Sequence, residues 1–314
     1  MIAALKYIDF AAVHRLASVG SLVEPLRRAF VSPAIAPERA HYDLAAPNNP
    51  RTLLLMPAWQ PDGDIGVKIA TVFPNNARRG FPSVNAAYVL LSGQTGEPQA
   101  WIDGRALTLI RTAAVSALAA DLLAPASPEV LLVVGTGALS RYFVEGHLAV
   151  RKYKSVLIWG RDPSKAAAVA RDLGAKGWPV GTAADLESAA RSADVISCVT
   201  LAEQPLIQGA WLKADCHLDL VGSFRPAMRE VDDDCLEGAL IAVDTLAALQ
   251  ESGDLIGPLV RGIIAQEDIS LLGALMATKT AAPRPRRTVF KSVGVAQADL
   301  AVARQLFERN APGI

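Results

Sequence analysis

Apolar positions change their spacing along the chain, and the changes divide it into stretches of different secondary structure. Between Phe10 and Phe30, Val13, Leu16, Val19, Leu22, Val23 and Leu26 recur every three or four residues, the spacing that lines one face of a helix. Thr52–Met56, Asp64–Phe73 and Ala86–Leu91 are short, apolar or β-branched, and separated by Pro and Gly, which predicts strands. The Ala- and Leu-dense run Leu107–Leu123 predicts a helix that stops at Ala124-Pro125-Ala126-Ser127-Pro128, because proline neither donates a hydrogen bond nor fits a helix interior. We expect a domain boundary there. Beyond it, apolar segments Val130–Val134, Ser155–Trp159, Val195–Val199, Leu218–Val221 and Leu240–Val243 alternate with helical stretches such as Ser140–Arg151 and Ser164–Leu173. Such alternation predicts an α/β fold, a doubly wound parallel sheet covered on both faces, over about Glu129 to Thr245. The tail from about Leu246 is more helical, passes through the basic, Pro-rich Pro283–Arg287, and ends in a helical run Ala298–Arg309.

Composition narrows the class. With 314 residues the chain exceeds one simple core, so two lobes are expected. Hydrophobic residues at 51% and charged residues at 20% describe a packed globular chain rather than a disordered one. Basic and acidic residues balance at 31 each, so no net field draws the chain to nucleic acid or anionic lipid, and a small-molecule partner is expected. Cys198, Cys216 and Cys235 are odd in number and lack paired short spacing, which predicts free thiols in a reducing cytoplasm, with neither a disulfide framework nor a metal cage. No secretory leader pattern follows Met1, and no run is expected to reach the 18 or more apolar residues that span a bilayer.

The segment Leu131-Leu132-Val133-Val134-Gly135-Thr136-Gly137-Ala138-Leu139-Ser140 reads as a buried strand entering a Gly-rich turn that opens a helix. Gly135 permits the tight turn, Gly137 admits the backbone to a pyrophosphate, and the free N–H groups at the helix start hold the anion. Ser140 stands where the third glycine of such motifs falls. The second strand ends in Trp159-Gly160-Arg161-Asp162. Arg161 suits the 2′-phosphate of NADPH, which is favoured over NADH, although Asp162 beside it leaves NADH open.

In the first lobe, Ile65, Val67 and Ile69 alternate with Gly66, Lys68 and Ala70, so Lys68 points away from the apolar side and pattern alone favours a solvated lysine. Arg111 interrupts an otherwise apolar helix and must reach solvent or an anion, for which a substrate carboxylate suits its planar fork. Arg39 is a second possible carboxylate clamp, although pattern alone favours an exposed loop arginine. His14, His41, His147 and His217 form no metal or nucleophile pattern, and a Gly-x-Ser-x-Gly elbow is absent.

Taken together, Lys68, Arg111-Thr112-Ala113-Ala114-Val115-Ser116, the Gly135 turn and Thr288-Val289-Phe290-Lys291-Ser292-Val293-Gly294 resemble the ornithine cyclodeaminase/mu-crystallin family over nearly the whole length. Asp103-Gly104, the segment Val199–Pro205, Val221–Pro226 and Glu251-Ser252-Gly253-Asp254 add to the likeness. The resemblance implies an α+β substrate and dimerisation lobe over 1–124, completed by about 288–314, a NAD(P)-binding Rossmann lobe over 125–287, and a homodimer. It implies that Arg39, Lys68 and Arg111 hold the substrate carboxylate and organise proton transfer, with Ser83 lining the same pocket. It also implies that Gly135, Gly137, Ala138 and Leu139 hold the pyrophosphate, Arg161 the adenosine end, and Thr200, Val221, Ser223 and Ser292 the rest of the dinucleotide.

One departure discriminates among the family's activities. Cyclodeaminases carry an aspartate in the segment matching Val221–Pro226, and the matching position is Phe224. A phenyl ring neither accepts a proton nor pairs with an ammonium. The resemblance then implies a reductase of cyclic ketimines, Δ1-pyrroline-2-carboxylate to L-proline or Δ1-piperideine-2-carboxylate to L-pipecolate. The alternatives are an ornithine cyclodeaminase, an alanine-type amino-acid dehydrogenase, and a non-catalytic NADPH-binding protein.

Overall fold

The computed structural model describes residues 5–32, 34–44, 51–278 and 286–310, the side chains of 77 and 78 excepted. In chain order its elements are β1 Lys6–Ile8, α1 Phe10–Leu16, α2 Val23–Val31, β2 Ala40–Asp43, β3 Thr52–Trp59, β4 Ile65–Val72, β5 Val84–Leu91, β6 Pro98–Asp103 and α3 Gly104–Leu123. There follow β7 Val130–Val134, α4 Ala138–Val150, β8 Ser155–Trp159, α5 Pro163–Gly174, β9 Val180–Thr182, α6 Leu186–Ser192, β10 Val195–Cys198, β11 His217–Leu220 and β12 Leu240–Val243. The last are α7 Ala248–Glu251, α8 Gly253–Val260, β13 Ile269–Leu271, α9 Leu272–Thr278, β14 Thr288–Lys291 and α10 Ala296–Arg309. Of the Pro-rich segment singled out above, residues 283–285 lie outside the described residues.

The chain divides into two compact units, 1–112 with 295–314, and 113–294. The division falls inside α3, not at the Ala124–Pro128 segment, because the helix continues unbroken across it and Ala120 already belongs to the core of the second unit.

In the first unit, six of the described strands form one sheet in the order β1-β6-β5-β4-β3-β2, antiparallel except for the parallel β1–β6 pair. Alternation sends Met56, Ala58, Gly66, Lys68, Ala70, Tyr88, Leu90, Ala100 and Ile102 to one buried face, against which α10 packs. Gly66 is required there, since a Cβ at that position would stand 1.8 Å from the Tyr88 hydroxyl oxygen. Residues of the opposite face, Ile65, Val67 and Ile69 among them, are half-buried or exposed although apolar. The expected sidedness is thus reversed: the lysine occupies the buried face.

In the second unit an all-parallel sheet runs β13-β12-β14-β11-β10-β7-β8-β9. Chain order reverses between β7 and β10, the switch point at which ligands bind in such sheets. Strand β14, expected with the first lobe, is instead inserted between β11 and β12, and all four of its residues are buried. Four apolar-rich residues flanked on both sides need two strand partners, which the parallel sheet supplies. The Rossmann sheet accordingly extends past Thr245 to include β13 and β14. Helix α3 is long and apolar enough to cross a membrane, with mean hydropathy 1.6 over 18 residues, but 83% of that window is buried in the protein. It is a core helix.

Candidate active site

The buried face of the first sheet carries three charged side chains in direct contact. Lys68, on β4, donates to Asp299 Oδ2 of α10 at 2.7 Å, and Arg111 Nε, on α3, donates to Asp299 Oδ1 at 2.9 Å. Lys68 is 3% exposed, Arg111 5% and Asp299 0%. Burial of an ammonium disfavours its charged form. Desolvation first, then the Arg111 charge, lowers the Lys68 pKa to about 8, with Asp299 opposing and Arg39 adding to the fall. Arg39, in the segment before β2, is therefore electrically part of the group. Tyr88, the cross-strand partner of Lys68, is wholly buried with its hydroxyl unpaired, and burial, Asp299 and Asp64 raise its pKa well above the ordinary range.

Arg111 meets Asp299 only through Nε, so its two Nη groups carry no hydrogen bond to any described residue. Those two groups are the prongs of the guanidinium fork that match a carboxylate. Sequence reasoning brought Lys68, Arg111 and Arg39 together and missed Asp299, which sits on an amphipathic helix where an acid usually faces water. Ser83 is not brought to this cluster. It lies in the turn ahead of β5, with Oγ 3.5 Å from the Pro74 carbonyl oxygen, and five strand residues, roughly 17 Å, separate it from Tyr88.

The second unit places the Gly-rich turn at the sheet's switch point. Gly135 has φ +133°, and a Cβ there would stand 2.8 Å from the Val199 carbonyl oxygen. Ser140 Oγ donates to the Gly135 carbonyl at 2.8 Å and ties the turn shut from inside. Gly137 is the N-cap of α4, no side chain caps the helix, and a Cβ on Gly137 would meet nothing within 4 Å. Ala138 and Leu139 form the first turn. This open N-terminus, with its unsatisfied N–H groups, has the shape and charge that a pyrophosphate requires.

At the end of β8, Arg161 is exposed and has no partner among the described residues, whereas Asp162 is committed as the N-cap of α5, accepting from Ser164 N and Oγ. The strand-end residues Thr200, Ser223 and Ser292 have side chains already engaged. Thr200 Oγ1 donates to Glu230 Oε1 at 2.9 Å, Ser223 Oγ to the Met228 carbonyl at 2.6 Å, and Ser292 Oγ to Asp244 Oδ2 at 2.7 Å. Val221 N bonds the Cys198 carbonyl. Backbone groups are thus what these loops can offer a ligand.

A buried network that sequence reasoning missed holds the loops in place. Glu230, fully buried, accepts from Thr200 N and Gly222 N, and Asp254 accepts from Glu230 N and from Lys291 Nζ at 3.3 Å. Burial raises the Glu230 pKa while the Lys291 charge lowers it. Phe224 packs against the apolar core of this unit. Of the histidines, His147 on α4 is bonded to Asp219 and His217 on β11 to Thr288, both buried.

Comparison with known proteins agrees with this layout. The sequence is 35% identical over 318 residues to the Δ1-pyrroline-2-carboxylate reductase of Colwellia psychrerythraea, covering 97% of this chain and 99% of the relative. A structure of Thermococcus litoralis Δ1-pyrroline-2-carboxylate reductase in complex with NADH and L-proline superposes with TM-score 0.92 at 27% identity, covering 97% of each chain. An archaeal alanine dehydrogenase dimer with bound NAD gives 0.89 at 26% identity, covering 97% of this chain and 95% of the other. The profile of the ornithine cyclodeaminase/mu-crystallin family matches residues 8–313, and the chain belongs to that family.

Proposed function

We propose that the protein is an NAD(P)H-dependent reductase of a cyclic ketimine carboxylate, converting Δ1-pyrroline-2-carboxylate to L-proline or its six-membered counterpart to L-pipecolate. The observation that carries this reading is the buried Lys68–Asp299–Arg111 group, in which the Arg111 fork is unspent on any described residue and the lysine proton is loosened to a pKa of about 8. The named relatives support the substrate class. Bound at the Gly135 turn, the reduced nicotinamide supplies a hydride. Arg111 and Arg39 fix the ring carboxylate. Lys68 gives the proton: an N–H bond forms at the ring nitrogen as an Nζ–H bond breaks, and C2 of the C=N bond so polarised would accept the hydride that a bound reduced nicotinamide would supply, the π pair going to nitrogen. Solvent returns the proton to Lys68. Positioning and charge provide most of the acceleration in such a step.

Phe224 offers no acid for amine elimination, which sets ornithine cyclisation aside. The unpartnered Arg161 favours NADPH, with NADH as the alternative. The half-exposed apolar face of the first sheet supports a homodimer. Three buried free thiols suit a reducing cytoplasm. The test is a spectrophotometric screen of NADPH and NADH oxidation against five- and six-membered cyclic imine carboxylates, with ornithine and with pyruvate plus ammonia as controls. Imine-dependent oxidation is expected; proline formed from ornithine without it, or oxidation that needs pyruvate and ammonia, would overturn the reading.

A further inference from the structure

We propose that Asp299 is the positioning residue of the Lys68–Arg111 site, one carboxylate that sets the separation and orientation of both cations while leaving their substrate-facing atoms unused. The inference rests on the reading of that group as the place where the imine is held and protonated.

The geometry divides the carboxylate between two duties. Oδ2 takes the Lys68 ammonium and Oδ1 takes Arg111 through Nε. An Arg anchored by Nε cannot swing about its side-chain axis, and its two Nη groups then point as a fixed pair. An ammonium has three protons, so the bond to Asp299 spends one and leaves two. Asp299 is itself held on a fixed element. Leu300, Val302, Ala303 and Leu306 bury α10, while Gln297 donates to the Ala29 carbonyl, Arg304 Nη1 donates to Gln60 Oε1 at 2.7 Å, and Arg304 Nε stands 3.2 Å from the Asp64 carboxylate as an ion pair. A carboxylate on a helix so pinned is a reference point for two side chains from distant parts of the chain.

Charge counting leads to the same residue. Lys68 faces Arg111 from α3, Arg39 from the segment before β2 and Asp299 from α10, with Tyr88 its register partner on β5. Asp299 is the anion in direct contact with Lys68, and it offsets the two guanidinium groups that push the lysine toward its neutral form. Without it, a buried ammonium would stand beside two other cations.

The test uses the full chain labelled with 13Cε-lysine, the Lys68 resonance being assigned by its loss in Lys68→Met. In Asp299→Asn the titration midpoint of Lys68 should fall by about one pH unit or more, and the alkaline limb of kcat/KM should move down with it. In Asp299→Glu the charge is kept but displaced, so the midpoint should hold while kcat falls roughly tenfold or more with little change in dinucleotide Kd. An unmoved midpoint in Asp299→Asn, or an unaltered kcat in Asp299→Glu, would overturn the proposal. If Asp299→Asn does not fold, the kcat against Kd comparison in Asp299→Glu decides. If the wild-type protein reduces no imine, the reductase reading falls, while a displaced Lys68 midpoint still upholds the role of Asp299 in holding the two cations.

Discussion

Lys68 sits on the buried side of a β-sheet beside two arginines, a place where an ammonium is disfavoured three times over, by dehydration, by Arg111 and by Arg39. Its pKa falls from the ordinary 10.5 to about 8, so the group is protonated below that pH and neutral above it. A proton donor must carry its proton, so if Lys68 holds the proposed role, kcat/KM for imine reduction should be high below about pH 8 and fall roughly tenfold per unit above it. Lys68→Met should lower turnover by about two orders of magnitude or more while dinucleotide affinity, which depends on the second unit, stays near the wild-type value. A rate that holds flat to pH 10, or loss of cofactor affinity as the main effect of the substitution, contradicts the role. Arg111 is placed by the same logic. A lysine there would keep the charge and lose the fork, since only a guanidinium can give Nε to Asp299 and both Nη groups to a second carboxylate.

At the scale of elements, the turn between β7 and α4 separates folding from binding in a way that can be measured. Gly135 answers to the fold: its φ of +133° and the approach of the Val199 carbonyl leave no place for a side chain. The fold makes no such demand of Gly137, whose Cβ position is open space at an uncapped helix start, so a ligand there would account for the glycine. Gly137→Val should therefore leave the melting temperature within about 2 °C of wild type and weaken dinucleotide binding roughly tenfold or more. Unchanged affinity in a titration of the variant would remove the pyrophosphate from this helix end. Strands rich in consecutive apolar residues are the most legible in the sequence: β7, β8 and β12 match their expected bounds. Strands β2 (Ala40–Asp43) and β6 (Pro98–Asp103) escaped notice, being short or interrupted by polar residues that face solvent at intervals. β14 was visible as a segment, yet nothing local in four residues says which sheet they join. Alternation shows that Lys68 and Val67 face opposite ways; which face is inside depends on α10, more than two hundred residues further along, as does the pairing of Lys68 and Arg111 with Asp299.

For the molecule as a whole, the outer face of the first sheet is where the proposed homodimer would form. Tyr7, Trp101, Val89, Val67 and Pro57 are register partners across five adjacent strands, and all are apolar. Tyr7 is 67% exposed and Trp101 41%. A continuous apolar row on a sheet is rarely left in water, and a formal net charge of zero opposes no approach of a second copy. Packing this face on the same face of another chain about a two-fold axis would bury it on both sides at once. Val67 stands at the middle of the row, so Val67→Glu would set carboxylates close to one another across the axis, each stripped of water, with a cost of several kcal/mol for each buried ion. Sedimentation of the wild type should give a dimer at micromolar concentration and of the variant a monomer, with dinucleotide affinity retained because the Gly135 turn belongs to the other unit. A monomeric wild type, or a variant that still sediments as a dimer, would assign the apolar row some other purpose.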